Sequence, residues 1–258
     1  MVDFGVFIIG SGPGDPELIT LKALKVIKRA EVILFDNLCN QELLDFAPEN
    51  CKKIYVGKKP YGCCTPQDEI NDQIVKYAEQ YRVVVRLKGG DPFIFGRGFE
   101  EMIYAEAHGI SCHYIPGISS MQGAGFADVP LTHRGISESV WMITATKKDG
   151  SLSADLKCAM KSAATVVIYM GMKKLHEISS IYEEGNLGHL PAMIVQNATL
   201  PHQKEVKCTA RDLAVVACTA GLSSPAIVVI GNVVHARTYA MTQLQNVQTT
   251  LKMLPLAI

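Results

Sequence analysis

Short apolar runs alternate with segments of helical periodicity along the first half of the chain. The run from Phe4 to Gly10 is too short for a helix and rich in β-branched residues, which predicts a buried strand. Pro16–Ala30 spaces its apolar residues for a helix, with Asp15 as N-cap and Pro16 at the first helical position. Further strands are predicted at Val32–Phe35, Lys53–Val56, Arg82–Leu87 and Cys112–Ile115, and helices at Gln67–Gln80 and Phe99–His108. This alternation indicates a parallel sheet that is covered on both faces.

The pattern restarts after Arg134, so we predict a first domain over residues 1–134 and a second over residues 135–258. The second half predicts strands at Val140–Thr144, Thr165–Met170, Ala192–Val195 and Ala226–Ile230, and helices at Asp155–Lys161, Lys174–Glu183 and Ala210–Ala220. The tail after Tyr239 is polar and then apolar, which is typical of a frayed end or a partner contact. The predicted fold class is α/β.

The charge balance excludes one group of functions. The 258 residues include 25 Lys and Arg and 25 Asp and Glu, so the formal net charge is zero. Proteins that cover nucleic acid or an anionic membrane need an excess of positive charge. The sequence therefore predicts no nucleic-acid partner and no membrane partner. A zero net charge is still compatible with one locally basic cleft. No apolar stretch approaches the roughly 20 residues that cross a bilayer, and the first residues lack the basic leader of a signal peptide.

The cysteines do not form a recognisable framework. Six of the eight stand singly, Cys63 and Cys64 are adjacent, and there is no C-x-x-C pair. This pattern is typical of reduced thiols, so we expect a cytoplasmic protein. The histidines lack ligand spacing, and no metal site is predicted. The sequence also lacks the phosphate loop, the nucleophile elbow and the H-E-x-x-H helix.

The loop Gly10–Pro16 joins the first predicted strand to the first predicted helix. Its glycines let a ligand approach the backbone closely, and Asp36 follows the next strand, where a ribose-binding acid lies in dinucleotide-binding folds. However, Pro13 and Pro16 remove backbone donors, and Asp15 places a negative charge where a pyrophosphate needs the positive end of a helix. A cationic or neutral ligand therefore fits better than a phosphate. A tight structural turn without a ligand stays open as the alternative.

The segment RLKGGDPFIFGRG, from Arg86 to Gly98, is the second candidate loop. It follows a predicted strand, and open parallel sheets bind ligands beyond the carboxyl ends of their strands. Four glycines, three basic residues and Asp91 in one loop are hard to explain by packing alone. Phe93 and Phe95 are equally compatible with plain core packing.

Three further segments, residues 56–59, 116–120 and 130–134, lie at predicted strand ends or helix starts. Taken alone, each has an ordinary structural interpretation. Lys58 and Lys59 would be a solvated surface pair, the serines of PGISS would cap a helix, and His133 would be a partly buried hydrogen-bonding residue.

Ten segments in order carry a resemblance: GSGPGDPELITLKAL, VILFDNL, YVGKK, TPQDEIN, VVRLKGGDPFIFGRG, YIPGISS, VPLTHR, VVIYMGM, IVQNAT and SPAIVVIGNVV. Together they resemble the uroporphyrinogen-III C-methyltransferases, which belong to the S-adenosylmethionine-dependent tetrapyrrole methylases. The resemblance extends from Gly5 to Val234, and RLKGGDPFIFGRG and TPQDEIN are its most specific segments. It implies two α/β domains of the tetrapyrrole methylase type with the cofactor in the interdomain cleft, usually as a homodimer.

The resemblance also implies roles for individual residues. The proton-handling residues of the family match Asp36 and Lys58. The positions that bind S-adenosylmethionine, or its product S-adenosylhomocysteine, match Pro13, Gly89, Gly90, Asp91, Ile94, Ser119, Ser120, Met170, Ala198 and Ala226. The residues that the resemblance places along the substrate trough are Arg97, Thr132, His133 and Arg134. Lys59 and Lys88 are further substrate-binding candidates, because carboxylates of the substrate need positively charged partners.

The activity implied by the resemblance is methylation of uroporphyrinogen III at C-2 and C-7. The products would be precorrin-1 and then precorrin-2, on the route to sirohaem or cobalamin. The macrocycle carries eight carboxylates, which need basic partners in a chain without net charge. Two alternatives stay open: another precorrin C-methyltransferase, such as one acting at C-11 of precorrin-4, and a nucleotide-binding regulatory protein without catalysis.

Overall fold

The computed structural model describes residues 4–57 and 65–253. By its internal contacts the chain divides into two units. The first comprises Met1–Gln122 and Thr199–Pro201, and the second comprises Gly123–Ala198 and His202–Ile258.

This division falls after Gln122, whereas the sequence predicts a boundary after Arg134. The difference arises because the residues that follow Gln122 make contacts within the second unit. Gly123 packs against the side chain of Ala198, and Asp128 forms an ion pair with Arg237. The placement of a cofactor between two domains stays a prediction.

The first unit contains a five-stranded sheet. Its strands are β1 (Gly5–Gly10), β2 (Val32–Phe35), β3 (Lys52–Tyr55), β4 (Val83–Lys88) and β5 (Cys112–Ile115). They are hydrogen-bonded in the order β3-β2-β4-β1-β5, and every pair is parallel. The parallel sheet predicted from the alternation is therefore confirmed, and no strand end differs from its predicted position by more than one residue.

Three α-helices accompany this sheet: α1 (Leu21–Ile27), α2 (Gln67–Ala78) and α3 (Gly98–Ala107). The first is shorter than predicted because two caps divide the expected helix. Asp15 accepts a hydrogen bond from the Glu17 N–H at 2.8 Å, but it caps only a 3-10 turn at Pro16–Leu18. Thr20 then caps α1, since its Oγ1 accepts from the Ala23 N–H at 3.2 Å.

Alternate side chains of the first sheet enter two separate cores, because successive residues of a strand face opposite sides. Odd-numbered residues such as Phe7 and Ile33 pack with α1. Even-numbered residues such as Leu34 pack with α2 and α3. A parallel sheet covered on both faces is apolar on both. Arg86 and Lys88, which are buried on the even-numbered face, are therefore exceptions that need charged partners.

The second unit contains a mixed five-stranded sheet in the order β6-β7-β10-β8-β9. Its strands are β6 (Val140–Thr144), β7 (Thr165–Tyr169), β8 (Pro191–Gln196), β9 (Lys204–Thr209) and β10 (Ala226–Ile230), and its helices are α4 (Asp155–Ala159), α5 (Leu175–Glu184), α6 (Leu213–Thr219) and α7 (Ala236–Met253). Only β6 and β7 are parallel, whereas the pairs of β10 with β7, β10 with β8 and β8 with β9 are antiparallel.

Two elements of the second unit were not predicted. The strand β9, with the sequence KEVKCT, is polar and lies at the sheet edge, so it lacks the apolar signal of a buried strand. The helix α7 continues through the tail after Tyr239, which was expected to fray or to contact a partner. The partner contact stays a prediction. No helix in the described part of the chain combines the length and the apolar character that a membrane crossing requires.

The thiol prediction is confirmed for the six cysteines that the structure describes. All are free: Cys39, Cys51, Cys112, Cys158, Cys208 and Cys218. Cys63 and Cys64 lie outside the described residues.

Candidate active site

Three loops meet at the carboxyl ends of the neighbouring strands β4, β1 and β5. They contact one another through Gly10, Gly90 and Gly117. A Cβ on Gly10 would lie 2.5 Å from Cα of Gly117 and 2.6 Å from the carbonyl oxygen of Gly90. Because these neighbours are backbone atoms, they cannot move aside as a side chain would. The close packing of the loops therefore requires glycine at Gly10 and Gly117.

Gly90 is the member of this group at which a Cβ would meet no overlap. Its N–H donates to the Gly12 carbonyl at 2.7 Å, and its own carbonyl accepts from the Gly12 N–H at 3.3 Å. Both glycines have positive φ, +83° at Gly12 and +65° at Gly90, which glycine adopts without strain. A Cβ on Gly90 would meet nothing closer than the backbone nitrogen of Ser120 at 3.7 Å. A Cβ would therefore fit at Gly90 in ordinary van der Waals contact, so the positive φ rather than packing favours glycine there, and its cofactor role stays a prediction.

The carboxylate of Asp91 is buried and fully engaged within the protein. Its Oδ1 accepts from the Phe93 N–H at 2.8 Å, and its Oδ2 accepts from the Tyr114 hydroxyl at 2.6 Å and the Gly117 N–H at 3.1 Å. These bonds tie the loop after β4 to β5 and the loop after it. Any contact of Asp91 with a cofactor would therefore use its backbone rather than its carboxylate.

The remaining predicted cofactor residues of the first unit lie in the same three loops. Pro13 and Ile94 are half-buried, Ser119 is buried and Ser120 begins a 3-10 segment. The structure thus brings all seven predicted positions of the first unit to one edge of its sheet.

The ring of Tyr114 reinforces the connection made by Asp91. It stacks on Phe93 with 4.0 Å between the ring centroids and 16° between the planes. Burial and the hydrogen bond to Asp91 raise the pKa of Tyr114 to about 12. The phenol therefore remains a hydrogen-bond donor at neutral pH.

Replacing Tyr114 by phenylalanine is expected to lower the free energy of unfolding by about 1.5–3 kcal/mol, because it removes the donor of a hydrogen bond to the charged Asp91 carboxylate. The folded pKa of about 12 exceeds the unfolded value of about 10. The contribution of this phenol is therefore complete below pH 10 or so and is lost as the pH rises towards 12 or so. Chemical denaturation of both proteins at neutral and alkaline pH measures the difference.

The stability difference between wild type and Tyr114→Phe should shrink at alkaline pH. A difference that stays constant would contradict the stated role of the hydroxyl. Tyr104→Phe is the matched control, since it removes an exposed hydrogen bond to Asp72. It is expected to cost less than about 1 kcal/mol.

Asp36 follows β2 at the same sheet edge. Its Oδ2 accepts from Nη2 of Arg86 at 3.0 Å, and its Oδ1 accepts from the Leu38 N–H at 3.0 Å. The side chain of Asp36 is 19% exposed, whereas that of Arg86 is 3% exposed. Asp36 is therefore a carboxylate held from behind by a buried guanidinium, with one side open to solvent. This geometry is compatible with its predicted proton-handling role.

Lys88 does not occupy the position expected of a substrate-binding residue. Its Nζ donates to Oε1 of Glu101 at 2.8 Å, and its side chain is only 7% exposed. Burial and the nearby Arg86 lower the pKa of Lys88, while Glu101 opposes them. Because the ammonium already has a carboxylate partner inside the protein, the predicted contact with a substrate carboxylate is not supported. The structure assigns Lys88 to a buried charge cluster instead.

The predicted cofactor residues of the second unit also share one sheet edge. Met170 follows β7, Ala198 follows β8, and Ala226 begins β10. Because β10 is antiparallel to both neighbours, its start lies beside their carboxyl ends. The three positions are therefore neighbours within the second unit.

Several non-glycine residues at or beside the predicted site positions adopt left-handed backbone conformations. Phe95 and Arg97 have φ of +53° and +61°, Met170 has +54°, and Asn197 and Thr199, which flank Ala198, have +51° and +70°. Such conformations are costly for residues with a Cβ, and they cluster at functional sites. Asp128 and Asn186, which also have positive φ, lie away from the predicted positions, and the predicted site residues stay a prediction.

The predicted substrate residues are divided between the units. Arg97 lies in the first unit, half-exposed, and pairs with Glu100 at 2.9 Å. The segment Thr132–Arg134 lies in the second, where Nδ1 of His133 donates to the Arg134 carbonyl at 2.8 Å. The predicted acid Lys58 and its neighbour Lys59 lie outside the described residues.

Sequence reasoning missed Glu101 and did not give Arg86 a role. Oε1 of Glu101 accepts from Arg86, Lys88 and Gln67 at 3.3, 2.8 and 3.1 Å, and its side chain is 0% exposed. Burial would lower the pKa of Arg86, but Glu101 and Asp36 raise it overall. The available signal was the strand VVVRLK, in which two basic residues alternate on one face of a buried strand.

The chain matches one protein family over most of its length. The family model for the Tetrapyrrole (Corrin/Porphyrin) Methylases matches residues 5–214. The uroporphyrinogen-III C-methyltransferase of Bacillus subtilis is 42% identical over 233 residues, which cover 89% of this chain and 91% of that protein. The siroheme synthase of Thiobacillus denitrificans is 39% identical over 234 residues, 90% of this chain and 49% of that protein. The chain thus spans about half the length of the siroheme synthases that it matches.

A solved structure gives the same result. The uroporphyrin-III C-methyl transferase of Thermus thermophilus, complexed with S-adenyl homocysteine, superposes with a TM-score of 0.77 at 33% identity, over 90% of this chain and 99% of that one. With the glycine loops and the two sheets, these matches show that the chain belongs to the tetrapyrrole (corrin/porphyrin) methylase family.

Proposed function

We propose that this chain is a uroporphyrinogen-III C-methyltransferase, which uses S-adenosylmethionine to methylate C-2 and C-7 of the macrocycle and gives precorrin-2 through precorrin-1. The observation that carries the proposal is the adjacency of two predicted sites. A Cβ on Gly89 would lie 2.6 Å from Cβ of Leu38, whose N–H donates to Asp36. The candidate methyl-donor site and the candidate base are therefore neighbours within the first unit.

The described residues fit a cationic methyl donor. Gly90 presents a half-buried backbone without a side chain, and the carboxylate of Asp91 is satisfied internally. The first unit would hold the donor through its three loops. S-adenosylmethionine supplies a methyl group that is already activated on a sulfonium. The chain therefore needs chiefly to align the reacting groups, which is worth about 7–11 kcal/mol of the barrier.

Asp36 would accept the proton that the macrocycle loses after one of its carbons has been methylated. Its partial exposure leaves it reachable, and Arg86 and the Leu38 N–H fix its orientation. Lys58 would act as proton donor or as an anchor for a substrate carboxylate, as the resemblance implies. Positioned acid–base groups of this kind contribute about 10²–10⁴-fold to a rate.

The carboxylates of the macrocycle would be bound by the exposed basic residues. Arg97 and Arg134 are exposed, and an arginine can hold a carboxylate through two parallel hydrogen bonds. Thr132, His133 and Lys59 complete the proposed set. Arg97 would exchange its exposed partner Glu100 for the substrate, which costs little because exposed ion pairs are weak.

Incubation of the full chain with a labelled methyl donor and uroporphyrinogen III, followed by mass measurement, tests the proposed function. The expected product carries two added methyl groups. Methylation of precorrin-4 with no reaction of uroporphyrinogen III would favour the alternative C-methyltransferase. Binding of NAD with no binding of S-adenosylhomocysteine would favour the nucleotide-binding alternative.

Replacing Asp36 by asparagine is expected to slow single-turnover methyl transfer by about 10²-fold, because the amide cannot accept the proton. The affinity for S-adenosylhomocysteine, measured by calorimetry, should stay unchanged. Asp45→Asn, at an exposed carboxylate in the same unit, is the control. An unchanged rate in Asp36→Asn would remove its proposed role.

The proposed assembly is a homodimer in the cytoplasm. Light scattering coupled to size-exclusion chromatography measures the mass in solution. A mass of 28.1 kDa, that of a single chain, would contradict the dimer.

A further inference from the structure

Four charged side chains form a buried cluster on the even-numbered face of the first sheet. Asp36 follows β2, Arg86 and Lys88 lie on β4, and Glu101 projects from α3. Arg86 lies opposite Leu34 of β2 in the sheet. Asp36 and Lys88 each lie two residues further along, so they are on the same face as Arg86. Two positive and two negative charges make the cluster neutral. Its Arg86, Lys88 and Glu101 side chains are at most 7% exposed.

Arg86 is held by acceptors on three sides. Its Nε donates to Oε1 of Glu101 at 3.3 Å, its Nη1 to the Leu87 carbonyl at 2.7 Å, and its Nη2 to Oδ2 of Asp36 at 3.0 Å. A guanidinium is planar and rigid, so two fixed donors determine the direction of the third. The orientation of Asp36 therefore depends on Glu101, although the two carboxylates do not share a hydrogen bond.

We propose that Glu101 is a positioning residue, which acts through Arg86 to hold the carboxylate of Asp36 in the orientation that accepts the proton. The proposal rests on the proposed function, in which Asp36 is the base. Glu101 does not touch the substrate, since its side chain is 0% exposed.

The composition of the cluster favours this role over a purely structural one. Buried ion pairs contribute little net stability, and apolar residues of similar volume often replace them without loss. Here the charges extend from the core to the most exposed member, Asp36, which is 19% exposed. The position of the partly exposed carboxylate is thus the property that the cluster controls.

Glu101 permits a conservative test. Its Oε1 accepts from all three neighbouring donors, whereas its Oε2 has no hydrogen-bond partner among the described residues. Glutamine can place its carbonyl oxygen where Oε1 lies and its amide where Oε2 lies. Glu101→Gln therefore preserves shape and acceptor while it removes the charge that holds Arg86.

Glu101→Gln is expected to reduce the single-turnover methyl-transfer rate at saturating substrates by about tenfold to a hundredfold, the effect of a small misplacement of a reacting group. The affinity for S-adenosylhomocysteine should not change, because the glycine loops are untouched. Glu106→Gln, at an exposed carboxylate on the same helix, is the matched control and should react as wild type does.

The same substitution in the Asp36→Asn variant distinguishes a positioning role of Glu101 from a general weakening of the fold. In Asp36→Asn the group to be positioned has lost its function, so adding Glu101→Gln should cause little further loss of rate. An equal fold-loss in both backgrounds, or an unchanged rate in Glu101→Gln alone, would overturn the proposal.

A charge-balanced variant covers the case in which Glu101→Gln does not fold. Lys88→Met with Glu101→Gln leaves Asp36 and Arg86 as a neutral pair, still without the hold of Glu101. Its rate should fall to a similar extent, and a wild-type rate would overturn the proposal. Failure of the proposed function is recognised separately, since the wild type itself would then add no methyl groups to uroporphyrinogen III.

Discussion

Replacing Arg86 by methionine is expected to lower the free energy of unfolding by about 3–5 kcal/mol. In the wild type Arg86 lies between Asp36 and Glu101, at 3.0 and 3.3 Å from their oxygens. The variant would leave both carboxylates with Lys88 as the remaining positive charge of the cluster. Because Glu101 is 0% exposed, water cannot replace the lost partner. Urea denaturation followed by circular dichroism measures the loss.

Adding Glu101→Gln to Arg86→Met makes the cluster neutral again, since Asp36 and Lys88 then balance. The double variant should be more stable than Arg86→Met alone. If the two substitutions acted independently, their losses of stability would add and the double variant would be less stable. A double variant less stable than either single one would contradict the charge-balance explanation. Arg82→Met is the control, because Arg82 is exposed just before β4, and it should change stability by less than about 0.5 kcal/mol.

The first sheet was predictable because periodicity and burial agree there. Runs such as Val32–Phe35 are wholly apolar, and parallel strands buried on both faces have this appearance. The helix Pro16–Ala30 was predicted too long because its first turn has two competing caps. Asp15 and Thr20 each satisfy backbone donors, and the chain forms a 3-10 turn before α1 begins at Leu21.

The second unit shows the limit of apolar periodicity. The strand β9 is held by its ladder with β8 although its side chains are largely polar. Its backbone hydrogen bonds come from β8, the strand that precedes it in the chain, and they do not depend on the polarity of its side chains. A pattern that records only side-chain polarity cannot detect such a strand.

The sequence predicted the loop residues of the candidate site but not the buried residues that hold them in place. The glycines and Asp36 stand at strand ends, where a parallel sheet brings them together. Lys88 was assigned to the substrate because the carboxylates of the macrocycle need positively charged partners. Its partner Glu101 lies 13 residues away on α3, and only the packing of that helix on the even-numbered face makes the pair.

Replacing Gly117 by alanine is expected to destabilise the fold by about 3 kcal/mol. The added Cβ would overlap the Gly90 carbonyl oxygen and lie 2.7 Å from Cα of Gly10. Both obstacles are backbone, so the loops themselves must separate. The Gly117 N–H also donates to Asp91 at 3.1 Å, and a shift of the loop would weaken that bond too. Thermal unfolding measures the stability, and calorimetry with S-adenosylhomocysteine measures donor binding, which should weaken as well.

Gly125→Ala is the matched control, because a Cβ there would meet nothing within 4 Å and its φ is not positive. It should leave the melting temperature and the affinity for S-adenosylhomocysteine close to those of wild type. If Gly117→Ala also kept both values, the loops could separate without loss of stability or of affinity for S-adenosylhomocysteine. The close approach of Gly10, Gly90 and Gly117 could then not be what shapes the donor site.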